Sequence, residues 1–390
     1  MSIIDQINPT VRAIPPSGIR KFFEILDQMP DAISLGIGEP DFITPWHIRE
    51  AGIRSLEDGH TYYTSNWGMP QLRQSICNYM NRRFSLSYQE NQVVVTVGGS
   101  EAIDACIRVL CQPGDEVLIP EPSFVCYRPC AMLAGAVPKA LETREEDQFR
   151  LTAETLEKAI TAKTKLLVLP YPNNPTGAIM EREDLEKIVA VLKDKDIFVL
   201  SDEIYAELTY RGKHVSIASF PEMYEKTVVI GGFSKAYAMT GWRLGFACGH
   251  PDIIQMMVKV HQFGIMSAPT TSQYAAIEAM NNGDEDIAKM KAEYNLRRHI
   301  IVDGFREMGL PCFEPLGAFY AFPCIKSLGI SSNDFCTQLL QEERVAVIPG
   351  NAFGESGEGF VRCSYAAATD SIHVALRRIK RFVERKRAEA

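Results

Sequence analysis

Several patterns that mark other classes of protein are missing from this sequence. None of its 10 cysteines forms a Cys-x-x-Cys pair and none of its 7 histidines forms a His-x-x-x-His pair, so no metal site and no dithiol redox motif is predicted. No apolar run approaches the ~18 residues that a membrane-spanning helix needs. The amino terminus lacks the basic and apolar stretches of a secretory signal, and we therefore expect a cytoplasmic protein.

An excess of positive charge is absent as well. The formal net charge is -8 at pH 7, which argues against a general nucleic-acid or anionic-membrane partner. The basic run from Arg377 to Arg387 is interpreted as the solvated face of a helix. With 46% hydrophobic and 23% charged residues over 390 positions, the composition is typical of a globular protein that is too long for one ordinary core.

Short apolar runs alternate with helical patterns through the middle of the chain. Near-continuous hydrophobicity is typical of strands that are buried on both faces of a parallel sheet. The segment Asp184–Lys193 has apolar residues at helical spacing. The alternation therefore predicts an α/β layered domain with helical crossovers. The runs interpreted as strands are Val93–Val97, Glu116–Pro120, Lys165–Leu169, Ile197–Leu200 and Thr227–Gly231.

The two ends of the chain follow a different pattern. Proline and glycine interrupt the first part, and beyond about Tyr294 helices alternate with strands predicted at Gly317–Phe322, Arg344–Gly350 and Gly359–Tyr365. This grouping indicates an α+β unit. We predict an N-terminal arm and part of a small domain over 1–46, a large domain over 47–293, and the remainder of the small domain over 294–390.

The most informative stretch surrounds Lys235. The strand predicted at Thr227–Gly231 leads into a small-residue turn with Ser234 and Lys235, and Arg243 follows just before another apolar run. Pyridoxal phosphate chemistry needs a lysine that forms an imine with the aldehyde and a nearby cation that holds the phosphate. Taken alone, the stretch is equally consistent with a solvated turn, because lysines are mostly exposed.

Polar and aromatic residues follow the other predicted strands, and ligands of open parallel sheets bind at those strand ends. Gly99 and Ser100 would offer backbone N–H groups to an anion at a helix N-terminus. Asp202 would meet a positively charged ring nitrogen, since a buried carboxylate needs such a partner. The other strand ends carry Phe124 as a plate for a flat ring, Asn174 in a proline-rich turn, and Tyr205 next to Asp202. Together they describe the surface of one ligand.

In their order and spacing, three motifs resemble those of the fold-type I pyridoxal-phosphate aminotransferases of the class I/II family, branch I-gamma. The resemblance runs almost from end to end. It implies a three-layer large domain with a mostly parallel seven-stranded sheet, a smaller α+β domain built from both chain ends, pyridoxal 5'-phosphate as cofactor, and a homodimer with shared active sites. The motifs are Asn174-Pro175-Thr176-Gly177, Asp202-x-x-Tyr205, and Ser234-Lys235 followed by Gly241-Trp242-Arg243-x-Gly245.

The resemblance also implies roles for single residues. Lys235 is expected to bond the cofactor and carry the proton, Asp202 to pair with the ring nitrogen, and Arg362 to hold the substrate α-carboxylate beside the backbone of Gly38. The other implied contacts are Asn174 and the catalytic Tyr205 at the ring oxygen, Asn174 also at the substrate, Phe124 on the ring face, Gly99, Ser100, Ser234 and Arg243 at the phosphate, and Tyr63 at the phosphate of the neighbouring subunit.

One position departs from this pattern, and the substrate stays open. Many relatives carry a serine three residues before the lysine, where this chain has Gly232. No arginine is placed to bind a distal carboxylate, and Phe22 and Tyr320 are expected near the pocket entrance. These features favour an aromatic amino donor, with 2-oxoglutarate as an acceptor served by Arg20. An N-acetyl-LL-diaminopimelate or aspartate aminotransferase, or a C–S β-lyase, remains an alternative.

Two other classes fit the sequence less well. A dinucleotide-dependent dehydrogenase would need a Gly-x-Gly-x-x-Gly turn after the first strand, and Gly98-Gly99 does not supply one. An amino-acid-sensing regulator built on this fold would need an added DNA-binding segment. The arm before Trp46 is short and is not basic.

Overall fold

A computed structural model describes residues 2–16, 29 and 31–389, and the predicted pocket residues Arg20 and Phe22 lie outside this range. The strands are β1 Ile33–Ser34, β2 Val93–Thr96, β3 Glu116–Glu121, β4 Val137–Glu142, β5 Thr164–Leu169, β6 Phe198–Asp202, β7 Thr227–Gly232, β8 Gly245–Cys248, β9 Tyr320–Ala321, β10 Val345–Ala346, β11 Ile348–Pro349 and β12 Val361–Ser364. The α-helices are α1 Ile3–Gln6, α2 Pro9–Ala13, α3 Trp46–Glu57, α4 Pro70–Phe84, α5 Gly99–Leu110, α6 Tyr127–Leu133, α7 Ala153–Ala159, α8 Arg182–Leu192, α9 Pro221–Tyr224, α10 Pro251–Gly264, α11 Thr270–Asn282, α12 Asp284–Glu307, α13 Ser332–Glu343 and α14 Thr369–Glu389.

The central sheet has seven strands in the order β2-β8-β7-β6-β5-β3-β4. Only β8 is reversed, and it pairs antiparallel with both β2 and β7. This arrangement confirms the predicted α/β fold with a mostly parallel seven-stranded sheet. Strand β4 gave no signal in the sequence, because it forms an edge of the sheet and most of its side chains are exposed or half-buried.

Helices cover both faces of the sheet, which explains the continuous apolar runs. Successive side chains of a strand point to opposite faces, and in β5 both sets are buried in apolar clusters. Leu166 and Val168 pack with residues of α5, α6 and α10. Leu167 and Leu169 pack on the other face with residues of α7 and α8. The strand therefore has no polar face to show in the sequence.

The small domain is assembled from both ends of the chain. Strand β1 pairs in parallel with β10, and β11, β12 and β9 form a three-stranded antiparallel sheet. The single strand predicted over 344–350 is split at Val347 into β10 and β11, which belong to different sheets. Helix α12 joins the two domains, since Ile287 packs in a core cluster of the large domain and Ile301 in that of the small domain. The boundaries at 46/47 and 293/294 stay a prediction, and the second falls inside α12.

Three further observations concern the described residues alone. No helix among them is long and apolar enough to cross a membrane. They contain no group of histidine, cysteine, aspartate and glutamate arranged to hold a metal ion. All ten cysteines fall within the described range and are free thiols.

Candidate active site

A cavity of about 350 Å³ opens at the carboxyl ends of the parallel strands, next to β9 and β12 of the small domain. The structure brings almost all predicted site residues to its wall. Those that line it are Gly38, Gly99, Ser100, Phe124, Asn174, Asp202, Tyr205, Ser234, Lys235, Arg243 and Arg362. Tyr63 is the exception, because its side chain is 81% exposed on the surface.

Lys235 follows β7 and extends into the cavity. Its Nζ donates a hydrogen bond of 2.5 Å to the Gly38 carbonyl oxygen and lies 5.7 and 5.6 Å from the ring centres of Tyr205 and Phe319. Burial, together with the positive charge of Arg362, lowers the pKa of Lys235 to about 8. A useful fraction of this lysine is therefore a neutral amine near neutral pH, which is the form that acts as nucleophile or base.

Asp202 closes strand β6 and is buried beneath the cavity. The Tyr127 hydroxyl donates to its Oδ2 at 2.6 Å, and the Ile204 N–H donates to its Oδ1 at 3.2 Å. Burial raises the pKa of Asp202, and these two donors oppose the shift. No basic side chain of the described residues forms an ion pair with it. A carboxylate in this position favours a ligand that brings its own positive charge.

Tyr127 is a site residue that the sequence did not reveal. It stands three positions after Phe124, on the first turn of α6, and the two rings meet edge to face at 6.0 Å. Its contact with Asp202 depends on where β3 and β6, which are separated by β5 in the sheet, end in space. No local pattern in the sequence encodes that distance.

An anion cradle lies where β2 gives way to α5. Gly98 precedes the helix with φ +79°, and a Cβ there would lie 2.7 Å from Arg243 Nη2. A Cβ on Gly245 would come within 2.6 Å of the backbone of Gly98 and Gly99. Strand β8 therefore packs directly on the turn and brings Arg243 to the helix N-terminus. Backbone N–H groups, the helix dipole and a guanidinium together suit a phosphate.

Gly232, the departure from the relatives' pattern, has a structural reason. A Cβ at this position would lie 2.6 Å from Ile204 Cδ1, so a serine here would require the Ile204 side chain to shift. Ser234 and Ser100 both line the cavity nearby. Their hydroxyl groups remain available to an anion.

Arg362, on β12, is buried without a carboxylate partner among the described residues. Its Nη1 donates to Asn174 Oδ1 at 2.9 Å and its Nη2 donates to the Gly36 carbonyl oxygen at 2.6 Å. The guanidinium carbon lies 4.5 and 4.8 Å from the ring centres of Tyr320 and Phe353. Within the described chain its Nε has no hydrogen-bond partner. A buried cation with an unused donor favours an anionic ligand.

Tyr320 lies elsewhere than predicted. It was expected near the pocket entrance, but it is fully buried in the wall, because β9 runs through the core of the small domain. Its hydroxyl lies 2.7 Å from that of Tyr205, and a Cβ on Gly38 would come equally close, at 2.7 Å, to the same hydroxyl. Tyr320 therefore lines the cavity from its wall rather than its entrance and fixes the Tyr205 hydroxyl.

The donor set fits pyridoxal phosphate. The α5 N-terminus with Arg243 would hold the phosphate, and Phe124 lies beside the space for the ring. Asp202 would meet the ring nitrogen and Tyr205 the ring oxygen, while Lys235 would reach the aldehyde. Each chemical group of the cofactor has a matching side chain in one cavity.

Comparison with known proteins agrees with this geometry. The family model described as aminotransferase class I and II matches residues 30–379. A Bacillus subtilis protein named "Probable N-acetyl-LL-diaminopimelate aminotransferase" is 44% identical over 382 residues, covering 98% of this chain and 96% of the relative. An aspartate aminotransferase of Pyrococcus abyssi is 42% identical over 378 residues, covering 96% of this chain and 97% of the relative. The crystal structure of an aromatic aminotransferase from Pyrococcus horikoshii superposes with a TM-score of 0.90 at 40% identity, covering 94% of this chain and 99% of that chain.

The anion cradle leads to a prediction about two nearby glycines. We expect Gly245→Ala to lose pyridoxal phosphate on dialysis, because the added methyl would lie 2.6 Å from the backbone of Gly98 and Gly99 and would push β8 off the turn. Gly241→Ala is the matched control, since its Cβ would have no described atom within 4 Å. Absorbance of the cofactor retained after dialysis measures both variants. Equal retention would contradict the cradle.

Proposed function

We propose an amino donor for this chain, which belongs to the class I and II aminotransferases, a family whose members use pyridoxal 5'-phosphate. The donor is an L-amino acid with an aromatic or other apolar side chain. Its amino group moves to a 2-oxo acid such as 2-oxoglutarate. The reaction class, transamination, follows from the family. The choice of donor rests on the charges around the cavity, and one observation carries it. A groove that adjoins the cavity at Phe124 is lined by three carboxylates and, among the described residues, by one arginine.

The chemistry of the proposal is divided between the cofactor and the chain. Bound pyridoxal phosphate supplies an aldehyde that bonds to an amine and a ring that accepts the electron pair released at Cα. Lys235, with its pKa lowered to about 8, would bond the aldehyde and, when free as an amine, would move the proton at Cα. Asp202 would keep the ring nitrogen protonated, and Tyr127 holds the carboxylate in place through the 2.6 Å hydrogen bond.

The substrate is oriented by Arg362. Its guanidinium would take the α-carboxylate through two parallel hydrogen bonds. Asn174 Oδ1 and the Gly36 carbonyl fix the guanidinium on one side, and the rings of Tyr320 and Phe353 pack against it. This support leaves little freedom for the bound carboxylate, so Cα stays within reach of Lys235.

The groove beside the cavity supports a donor without a distal carboxylate. It has a volume of about 1190 Å³ and shares Phe124 with the cavity. Glu121, Glu142 and Glu355 line it, and Arg128, its arginine within the described range, is paired to Glu121 at 2.9 Å. A carboxylate on the donor side chain would meet this negative charge, whereas an aromatic ring would not. Arg20, predicted to serve the distal carboxylate of 2-oxoglutarate, lies outside the described residues.

Donors named for the relatives remain alternatives. An N-acetyl-LL-diaminopimelate donor and aspartate each appear in the name of a similar protein. A C–S β-lyase is the least favoured alternative, because it would act without a 2-oxo acid and the relatives are transaminases. Release of pyruvate and ammonia from cystathionine with no acceptor present would identify it.

We also infer a cytoplasmic location, because the ten thiols of the chain are free.

We further infer a homodimer with shared sites, and an exposed apolar patch supports it. Tyr62 and Tyr63 are each 81% exposed and Phe263 is 87% exposed. The segment with Tyr62 is bonded to Thr270, and Asn66 is bonded to Met266, so these residues lie on neighbouring stretches of one surface. Large exposed patches of this kind mark protein–protein contacts.

Lys235 yields a pH prediction. The neutral amine increases with pH, so the rate at which apoprotein combines with added pyridoxal phosphate should rise through about pH 8, rather than near the ~10.4 of an exposed lysine. Stopped-flow absorbance measures the rate, and borohydride should fix the chromophore to the peptide with Lys235. Lys235→Ala should lose transamination by orders of magnitude. A protein that stays colourless with added cofactor would contradict the assignment.

The donor is tested by steady-state kinetics with 2-oxoglutarate. We expect kcat/KM for phenylalanine or tyrosine to exceed that for aspartate and N-acetyl-LL-diaminopimelate. An advantage of aspartate or the acylated donor by more than about tenfold, or ~1.4 kcal/mol, would overturn the aromatic assignment.

Glu121→Gln should raise the relative kcat/KM for aspartate, because it frees Arg128. Glu146→Gln, at an exposed position outside the groove, is the control.

The shared site is tested through Tyr63. Tyr63→Phe should weaken cofactor retention by about 1–3 kcal/mol, as expected for one lost hydrogen bond to a charged group. Tyr62→Phe changes an equally exposed neighbour and should retain the cofactor like the native chain. Sedimentation should show a dimer. A fully active monomer would contradict the proposal.

A further inference from the structure

One irregular segment, Gly36–Thr44, contacts two of the three cations that line the site, Arg362 and Lys235. It lies between β1 and α3. The Gly36 carbonyl oxygen accepts from Arg362 Nη2 at 2.6 Å, and the Gly38 carbonyl oxygen accepts from Lys235 Nζ at 2.5 Å. The positions of these two carbonyls therefore affect the positions of Arg362, which is expected to bind the substrate, and Lys235, which is expected to bind the cofactor. What holds the segment in place thus matters for the chemistry.

The segment is held by its side chains. Within the described chain, residues 37–44 make no backbone–backbone hydrogen bond. Thr240 donates to the Glu39 carboxylate at 3.0 Å in an exposed position, and the Thr44 hydroxyl donates to the Ala238 carbonyl at 2.7 Å. Between these two anchors lie Asp41 and Phe42, and both of them contact the same residue, Arg297 of α12.

Arg297 is a buried anchor. Its side chain is 8% exposed, and its Nη1 lies 2.8 Å from each carboxylate oxygen of Asp41. Its Nε donates to Glu293 Oε1 at 2.9 Å, and the guanidinium carbon lies 5.4 Å from the Phe42 ring centre. A buried ion pair with additional hydrogen bonds fixes geometry strongly, and removal of one partner leaves the other uncompensated. Arg297 does not itself line the cavity.

We propose that Arg297 is a positioning residue, which acts through Asp41 and Phe42 to set the Gly36 and Gly38 carbonyls against Arg362 and Lys235. The inference rests on the proposed function of this site. When the clamp is weakened, the Gly38 carbonyl and the Glu39 carboxylate of the same segment withdraw from Lys235. The protonated amine then loses an acceptor and a negative charge, while Arg362, Arg243 and Asp202 still face it, so its pKa falls. The Gly36 carbonyl withdraws from Arg362, and the guanidinium loses orientation, so the KM of the amino donor rises more than kcat falls.

The neighbouring residue Arg298 provides a matched control. It is on the same helix and equally buried, but it pairs with Glu314 at 2.7 Å and with the Pro315 carbonyl, away from the 36–44 segment. Arg298→Lys therefore removes a buried guanidinium of similar setting without touching the segment. Any general loss of stability from such a change appears in both variants.

The experiment compares Arg297→Lys, Asp41→Asn and Arg298→Lys in the cofactor-loaded enzyme and in its apoprotein. We expect the first two to raise the donor KM by about tenfold or more with a smaller change in kcat. They should also lower the pH midpoint at which apoprotein combines with pyridoxal phosphate, whereas Arg298→Lys leaves both values at the native level. If Arg297→Lys does not fold, Asp41→Asn decides the question, since Asn keeps the shape and loses the charge.

Values of KM and pH midpoint for Asp41→Asn and Arg297→Lys that match those of Arg298→Lys would overturn the inference, whether or not the variants are less stable. Restored midpoint and KM in Asp41→Glu, which keeps the carboxylate, would support it. A native enzyme with no transaminase activity on any donor would instead defeat the proposed function. The two failures are therefore distinguishable.

Discussion

Burial of three charged groups around one cavity is the constraint on which the rest of the site depends. Lys235, Asp202 and Arg362 are withdrawn from water, and burial shifts the pKa of each toward its neutral form. Such groups are unfavourable unless neighbours compensate for the lost hydration. Here a carbonyl, a tyrosine hydroxyl and an amide do so in part. The hydration that these neighbours do not replace favours binding of a ligand with matching groups. Such a ligand carries a positive ring nitrogen for Asp202, an aldehyde for Lys235 and a carboxylate for Arg362.

Close approach of backbone is the second condition, and it explains the small residues of the lysine region. A phosphate can reach the N–H groups of α5 only if β8 and Arg243 press against the turn before the helix. That contact leaves no room for a Cβ at Gly245 or Gly98. Gly38 follows the same rule, because its carbonyl meets Lys235 while the Tyr320 hydroxyl occupies the space of a side chain. Glycine at these positions is a packing requirement of the site.

Much of this arrangement was predictable from the sequence, and the remainder was not for physical reasons. Strand ends could be located because strands buried on both faces are continuous apolar runs, and the residues after them then had to share one edge of the sheet. The contact of Tyr127 with Asp202 and the burial of Tyr320 could not be predicted, since both depend on distances between strands. The edge strand β4 was missed because its exposed side chains carry no hydrophobic pattern. Likewise, Arg297 gave no signal, because its partner Asp41 is 256 positions away along the chain.

Donor choice is the property least tied to this machinery. Lys235, Asp202 and Arg362 act on Cα, the cofactor ring and the α-carboxylate, which are common to every amino acid donor. Discrimination between donors therefore has to arise where the donor side chain lies, which in the proposed function is the groove beyond Phe124. That groove is built from the end of β3, the start of α6 and the 351–356 turn, and one unpaired charge there can reverse the preference between two amino donors.

Three relatives of 40–44% identity bear the names of three different donors, as expected when a shared catalytic core is joined to a variable groove. In the proposed function, the net negative charge of this chain's groove, with Arg128 already paired, favours an apolar donor over an acidic one.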